Sequence, residues 1–242
     1  MVKVRKADGR LEDYSEEKVR GSLQRAGAEE GLIEDILSHI QTELHEGIAT
    51  EEIYDHIFEI LKGKSSHLVA RYNLKQAIMD LGPSGYPFEK FVAGVLETQG
   101  YKTQVSQTVP GECVYHEVDV IAEKDGKRIM VECKFHNRHG TKSKIQTILY
   151  TYARFMDVSM HHEFQDAWLV TNTKVTSEVV DYAKCKGLKV IAWDYPRDMS
   201  LRKMIEDSNL HPITIDQSLS PEKKSDLLNQ GIIFMKDIKE KM

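Results

Sequence analysis

The sequence predicts two parts of different class: a mainly helical first part, then an α/β part with a small helical C-terminal extension. Three observations carry this. Up to about residue 82 the apolar residues recur at helical spacing. Beyond Pro83-Ser84-Gly85, a linker-like break, segments alternate apolar and polar in the manner of strands, two of them joined by Asp125-Gly126. After Asp194 the pattern thins to short helical stretches. The expected boundaries are 1–82, 83–198 and 199–242.

In the first part, Ser15-Glu16-Glu17-Lys18 resembles a capping-box start, followed by Val19, Leu23 and Ala26 at helical intervals. Ile36, Leu37, Ile40 and Leu44 form a stripe in the second helix, within Ile33 to Leu44. Thr50-Glu51-Glu52-Ile53 is expected to cap a third, buried through Ile53, Ile57 and Ile60-Leu61. Ser66 to Leu81 reads as a fourth helix after the Gly63-Lys64-Ser65 break.

In the second part, Glu117 to Ala122 and Ile129 to Phe135 alternate like half-buried strands, and Asp125-Gly126 suits a two-residue type I′ turn. Lys124 then faces Lys127. Counting back in register places Asp119 opposite Glu132 and Glu117 opposite Lys134. Side chains two apart on a strand share a face, so two carboxylates and an ammonium project together, with Val118, Val131 and Cys133 on the other side. Two carboxylates this close repel unless a proton or cation lies between them. A hard divalent cation with oxygen ligands is the natural occupant. The plain alternative is a surface hairpin with a cross-strand Glu-Lys pair.

This Asp…Glu-x-Lys set resembles the PD-(D/E)xK nucleases, and Gly85 to Asp194 resembles their Mrr-type restriction endonuclease branch, which implies an α/β core with a central mixed sheet. Gly85-Tyr86-Pro87-Phe88-Glu89 is similar to the family's opening helix, and Gly100-Tyr101-Lys102 to its turn into the first strand. Ala167 to Asn172 is similar to its later Thr-Asn strand, and Gly187 to Ile191 to its last strand. The resemblance implies that Asp119, Glu132, Lys134 and Gln146 serve catalysis. It also implies that Mg²⁺ or Mn²⁺ is held by Asp119, Glu132, the Cys133 carbonyl and Glu89. Glu117 departs from the small residue many members carry there. Arg138, Lys142 and Lys144 follow the hairpin and are candidate DNA contacts; a solvated loop is their plain reading. His116, His136, His139, His161 and His162 show no metal-ligand spacing.

Residues 1 to 80 resemble the ATP-cone, a nucleotide-sensing domain that is mainly helical with a small N-terminal hairpin. The matching stretches are Val4-Arg5-Lys6-Ala7-Asp8-Gly9-Arg10, the Lys18-bearing helix, Thr50-Glu51-Glu52-Ile53 and Ala70-Arg71-Tyr72. The resemblance implies that Val4, Lys6, Glu12, Lys18, Thr50, Ile53 and Tyr54 line a site for ATP or dATP, with Arg71 or Lys75 near the phosphates. Ala7 stands where the family usually has Arg, and Tyr54 where reductases often have His. No Gly-x-x-x-x-Gly-Lys-(Ser/Thr) occurs, so sensing is expected and a Walker-type ATPase is not.

At 242 residues and 40% hydrophobic content the chain has material for packed cores, and no apolar run approaches a membrane span. The first residues lack the apolar stretch of a signal peptide, and Cys113, Cys133 and Cys185 show no metal-type spacing, so a cytoplasmic protein is expected. A net charge of −5 argues against generic coating of nucleic acid but leaves a local DNA-facing surface open. Ser220-Pro221 and Gly231 bound a helix in the tail that loosely resembles a helix-hairpin-helix unit; a small cap on the core is the preferred reading. The expected activity is a metal-dependent DNA endonuclease regulated by an adenine nucleotide, acting as a homo-oligomer. The alternative is a silent nuclease-fold regulator that binds DNA, with the cone driving oligomerisation.

Overall fold

The computed structural model describes residues 2–7, 9–138, 140–161 and 164–239; Asp8, His139 and His162 lie outside them. The chain divides into two compact units, Met1–Gln76 and Ala77–Met242.

The first unit opens with β1 (Lys3–Arg5) and β2 (Leu11–Asp13), an antiparallel pair that sets Val4 opposite Glu12. Then come α1 (Glu16–Ala26), α2 (Glu30–Glu43), α3 (Thr50–Lys62) and α4 (Ser66–Tyr72). Ser15 caps α1 by accepting the Lys18 N–H at 3.3 Å, and Gly27, at φ 89°, closes it in the left-handed region where glycine is cheapest. Thr50 is the first residue of α3 and Ala49 its cap, so the expected Thr cap sits one residue inside the helix. Val4, Leu23, Ile33, Ile36, Leu37, Ile40, Ile53, Ile57 and Leu61 form one core. The expected fourth helix is broken at Asn73, whose side chain accepts from the Tyr54 hydroxyl at 2.6 Å; α5 (Leu74–Met79) follows and straddles the division.

The second unit contains α6 (Tyr86–Thr98), β3 (Lys102–Pro110), β4 (Tyr115–Lys124), β5 (Lys127–Lys134), β6 (Lys142–Ser143) and α7 (Ile145–Ser159). Next are β7 (Phe164–Thr171), β8 (Lys174–Val175), α8 (Ser177–Lys186) and β9 (Lys189–Ile191). The central sheet runs β3-β4-β5-β7-β9, antiparallel from β3 to β5 and parallel from β5 to β9, so it is mixed. A parallel step needs a crossover, and α7 supplies it between β5 and β7. The helix α6 lies against β3 and β4, and α7 against β7 and α8. Val118, Ile121, Met130, Ile148, Leu169, Val179 and Val190 form a core.

The tail comprises α9 (Leu201–Ser208), a 3₁₀ turn (Ile213–Ile215), α10 (Pro221–Asn229) and α11 (Met235–Lys239). It is packed within the second unit. Phe234 lies 5.5 Å from Phe91 between ring centres, and a Cβ added at Gly94 would stand 2.3 Å from the Phe234 ring. That close approach is why α6 carries a glycine in mid-helix, where it otherwise costs about 1 kcal/mol. The second unit also takes in Ala77 to Gly82, ahead of the expected boundary at 83, because Ile78 and Leu81 are buried and the Ala77 carbonyl accepts from the Thr214 hydroxyl.

Candidate active site and nucleotide pocket

The hairpin turn is as expected: Asp125 and Gly126 have φ of 52° and 73°, and Lys124 pairs with Lys127. The ladder continues in register to Val120 opposite Val131 and then stops. Continued, it would have bonded the Cys133 N–H to the backbone across the hairpin. Instead that N–H donates to Asp119 Oδ2 at 2.7 Å. The side chain has taken the ladder's place, so neither expected pairing beyond Val120, Asp119 with Glu132 or Glu117 with Lys134, is part of the sheet. Glu117 pairs with Thr108 on one side and Lys134 with Thr171 on the other. The β3–β4 ladder also skips Ser106 and Asp119, with Ser106 at φ 52°. Val118 and Ile121 share one core although three residues apart, so β4 changes face at Asp119.

Around this irregularity the carboxylates gather. Glu89, in the first turn of α6, accepts from the Ser106 hydroxyl at 3.2 Å. Burial, then the Asp119 charge, pushes the Glu89 carboxyl up to about 7, opposed by the Ser106 bond. Glu132 is also raised to about 7, by burial and by Asp119, against the pull of Arg154 and Lys134. Asp119 is raised by burial, partly offset by the Cys133 N–H, Arg154 and Lys134. Cys133 is only partly exposed, and burial with the neighbouring carboxylates lifts its thiol well above the usual range. The Asp119 charge thus raises both Glu89 and Glu132, as neighbouring carboxylates do.

Arg154, on α7, was not visible as a site residue in the sequence. Its Nη1 donates to Glu132 Oε2 at 2.6 Å, with side chains 10% and 13% exposed. Its Nη2 donates to the Tyr150 hydroxyl, and the guanidinium lies 4.6 Å from that ring's centre. The available signal was the four-residue spacing of Gln146, Tyr150 and Arg154, which puts them along one side of a helix. Gln146 itself is exposed in the first turn of α7. Arg138, Lys142 and Lys144 are all exposed, in the loop after β5, in β6 and at the α7 cap.

Three oxygen-donor side chains, from Glu89, Asp119 and Glu132, suit a hard divalent cation. Their arrangement is not yet a closed site: among the described residues, no three His, Cys, Asp or Glu side chains converge to hold a metal. The donor chemistry fits, and Glu132 is turned to Arg154. Two of the histidines are engaged elsewhere. His116 Nε2 lies 2.7 Å from Asp157 Oδ2, and His136 Nε2 lies 2.9 Å from the Ser143 hydroxyl. A cavity of about 730 Å³ at the turn end of the hairpin is walled by Lys102, Lys124, Lys127 and Arg128. The carboxylates lie at the open end of the hairpin, so that cavity is not their site.

In the first unit a cavity of about 190 Å³ is lined by Val4, Lys6, Glu12, Lys18, Thr50, Ile53 and Tyr54, with Tyr14, Val19 and Tyr72 adding wall. Lys18 Nζ stands 3.5 Å from Glu12 Oε2. Tyr54 stacks on Tyr72 with ring centres 4.9 Å apart. The cavity combines apolar and aromatic walls with two ammonium groups, a chemistry suited to a ring bearing phosphates. It is smaller than the ~300–1,000 Å³ of pockets that enclose a whole drug-sized ligand, so it can take a ring and leave the rest outside. Arg71 is not part of this wall; its guanidinium is beside Gly27.

Among the described residues, no helix is long and apolar enough to cross a membrane. Comparison with known proteins agrees with the two-part reading. Residues 82–198 match the restriction endonuclease family Mrr_cat, and residues 2–75 match the ATP cone domain. An uncharacterised protein of Archaeoglobus fulgidus is 40% identical over 147 residues, which span 61% of this chain and 83% of that protein. The crystal structure of a protein of unknown function, AF1548, matches with a TM-score of 0.58 and 39% identity over 64% of this chain and 83% of that one. A repair endonuclease from Pyrococcus abyssi matches at a TM-score of 0.36 and 15% identity, covering 45% and 46% of the two chains, a likeness that carries no weight for function. Through residues 82–198 this chain belongs to the restriction endonuclease family, and an ATP-cone domain precedes that part at residues 2–75.

Proposed function

We propose that the second unit hydrolyses DNA phosphodiester bonds with the help of Mg²⁺ or Mn²⁺, and that ATP or dATP bound by the first unit regulates it. The observation that carries the proposal is the placing of partly buried carboxylates where β4 and β5 part: Asp119 accepts the Cys133 N–H at 2.7 Å beyond the end of the ladder, and its charge raises both Glu89 and Glu132. Asp119 and Glu132, joined by Glu89 and the Cys133 carbonyl, would hold the cation. When bound, the cation supplies Lewis-acid polarisation of the scissile phosphate and lowers the pKa of a water. The protein's own groups do the rest. Lys134, exposed at the end of β5, offsets charge that builds on the phosphate and orients the attacking water. Gln146 positions the same water from α7. Arg138, Lys142 and Lys144 contact the backbone of the duplex. Cutting both strands with one centre per chain calls for two chains, so the active species is a homo-oligomer working in the cytoplasm.

In the nucleotide pocket, Val4 and Ile53 sandwich the base, Glu12, Thr50 and Tyr54 line the site, and Lys6 and Lys18 meet the phosphates. The nucleotide acts by preferring one of two states of the protein.

The engagement of Glu132 by Arg154 favours a second reading, a nuclease fold that binds DNA without cutting it. Incubating supercoiled plasmid with the protein and Mg²⁺ or Mn²⁺, with and without ATP, separates the two. Cleavage lost in Asp119→Ala supports the nuclease. DNA binding without cleavage under any of these metals supports the silent reading.

A further inference from the structure

The proposed reaction needs Glu132 as a cation ligand, yet Glu132 is already taken. Its Oε2 accepts from Arg154 Nη1 at 2.6 Å, and both side chains are nearly buried. The guanidinium is otherwise incompletely held. It reaches the Tyr150 hydroxyl and the face of that ring, while its buried Nε has no hydrogen-bond partner among the described residues. A buried cation with a donor to spare is tied to its place chiefly by the carboxylate it neutralises. Among the described residues, Asp119, Glu132 and Glu89 do not converge as a metal site, and Glu132 Oε2 is directed to Arg154.

We infer that Arg154 is the resident counter-ion of this centre: it holds Glu132 while no metal is bound, and a divalent cation has to take Glu132 from it. The inference rests on the reading of Asp119 and Glu132 as cation ligands. It makes Arg154 a positioning residue that sets the affinity for metal. Two effects act in one direction. The guanidinium competes for the oxygen the metal needs, and its positive charge repels a dication in a partly desolvated site. Arg154 thereby keeps three crowded carboxylates tolerable in the metal-free protein, at the expense of metal affinity. Lysine in its place would keep the charge but lose the planar, two-pronged reach to both Glu132 and Tyr150.

The test is calorimetric titration of the full chain with Mn²⁺ at mildly alkaline pH, on wild type, Arg154→Met, Arg154→Lys and Asp119→Ala, with circular dichroism confirming that each is folded. Arg154→Met should bind Mn²⁺ about tenfold more tightly or better, because the competitor and its repulsion are both gone. Arg154→Lys should fall between it and wild type. A purely structural role would lower the melting temperature and leave Mn²⁺ affinity where it was. Unchanged or weaker binding in Arg154→Met therefore overturns the inference. If Arg154→Met fails to fold, Arg154→Lys carries the test, and an affinity no tighter than wild type overturns the inference. Wild type that binds Mn²⁺ only through groups other than Asp119 or Glu132, or not at all, refutes the metal reading beneath it, a result distinct from failure of the Arg154 variants alone.

Discussion

Replacing Asp119 by alanine and by asparagine separates two jobs that one carboxylate performs. The first is structural: Oδ2 accepts the Cys133 N–H at 2.7 Å where the hairpin ladder has ended. The second is electrostatic: with Glu132 and Glu89 it builds the anionic cluster. Alanine removes both. It strands a partly buried amide, which costs about 1–3 kcal/mol. Asparagine removes the charge but keeps an oxygen that accepts the same bond, so its stability should be close to wild type in metal-free buffer. For a unit of this size 1 kcal/mol corresponds to about 2–4 °C. Asp119→Ala should therefore melt roughly 2–12 °C below Asp119→Asn, combining those two ranges. The assay is a thermal melt of both variants by circular dichroism in chelator, followed by plasmid cleavage with Mg²⁺. Neither variant should cleave. Equal melting temperatures would refute the argument that the Asp119 side chain replaces the ladder, and cleavage by Asp119→Asn would refute its role as a cation ligand.

The remaining predictions concern other parts of the molecule. Asp157 accepts the Cys113 and Val114 N–H groups and pairs with His116, which holds its carboxyl down at about 2. A carboxyl lowered on folding stabilises above its unfolded value and loses that contribution as pH falls toward 2, so acid melts of wild type should fall more steeply there than those of Asp157→Asn. Gly94→Ala places a Cβ 2.3 Å from the Phe234 ring and should cost about 1–3 kcal/mol in a urea melt, with Phe234→Leu in the same chain restoring most of it. Lys6→Ala and Lys18→Ala each remove an ammonium from the nucleotide pocket and should weaken ATP or dATP binding by roughly tenfold to 150-fold in calorimetry, each loss being about 1.5–3 kcal/mol for a charge-assisted bond. Equal binding by both variants and wild type would leave the ammonium groups without a role there.

Much of this protein was legible in the sequence because it depends on neighbours along the chain. The alternation of β4 and β5 with Asp125-Gly126 between them set the hairpin register, since a two-residue turn leaves only one way to count back. Ser15 and Ser220 announced helix starts, and each accepts the expected backbone N–H. Local pattern also brought Asp119, Glu132 and Lys134 to one end of one hairpin.

Only the tertiary structure decided how that site is closed. Arg154 reaches Glu132 across the crossover, 22 residues away, and which face of α7 lies over the sheet depends on packing against β7 and α8. The ladder's end at Val120 depends on a side chain competing successfully for a backbone N–H, a contest that periodicity does not register. The break at Asn73 and the burial of the tail through Phe234 depend on Tyr54 and Gly94, partners far away in the chain. Backbone periodicity follows from local geometry; the pairing of buried charges follows from which surfaces folding brings together, and a linear pattern holds no record of that distance.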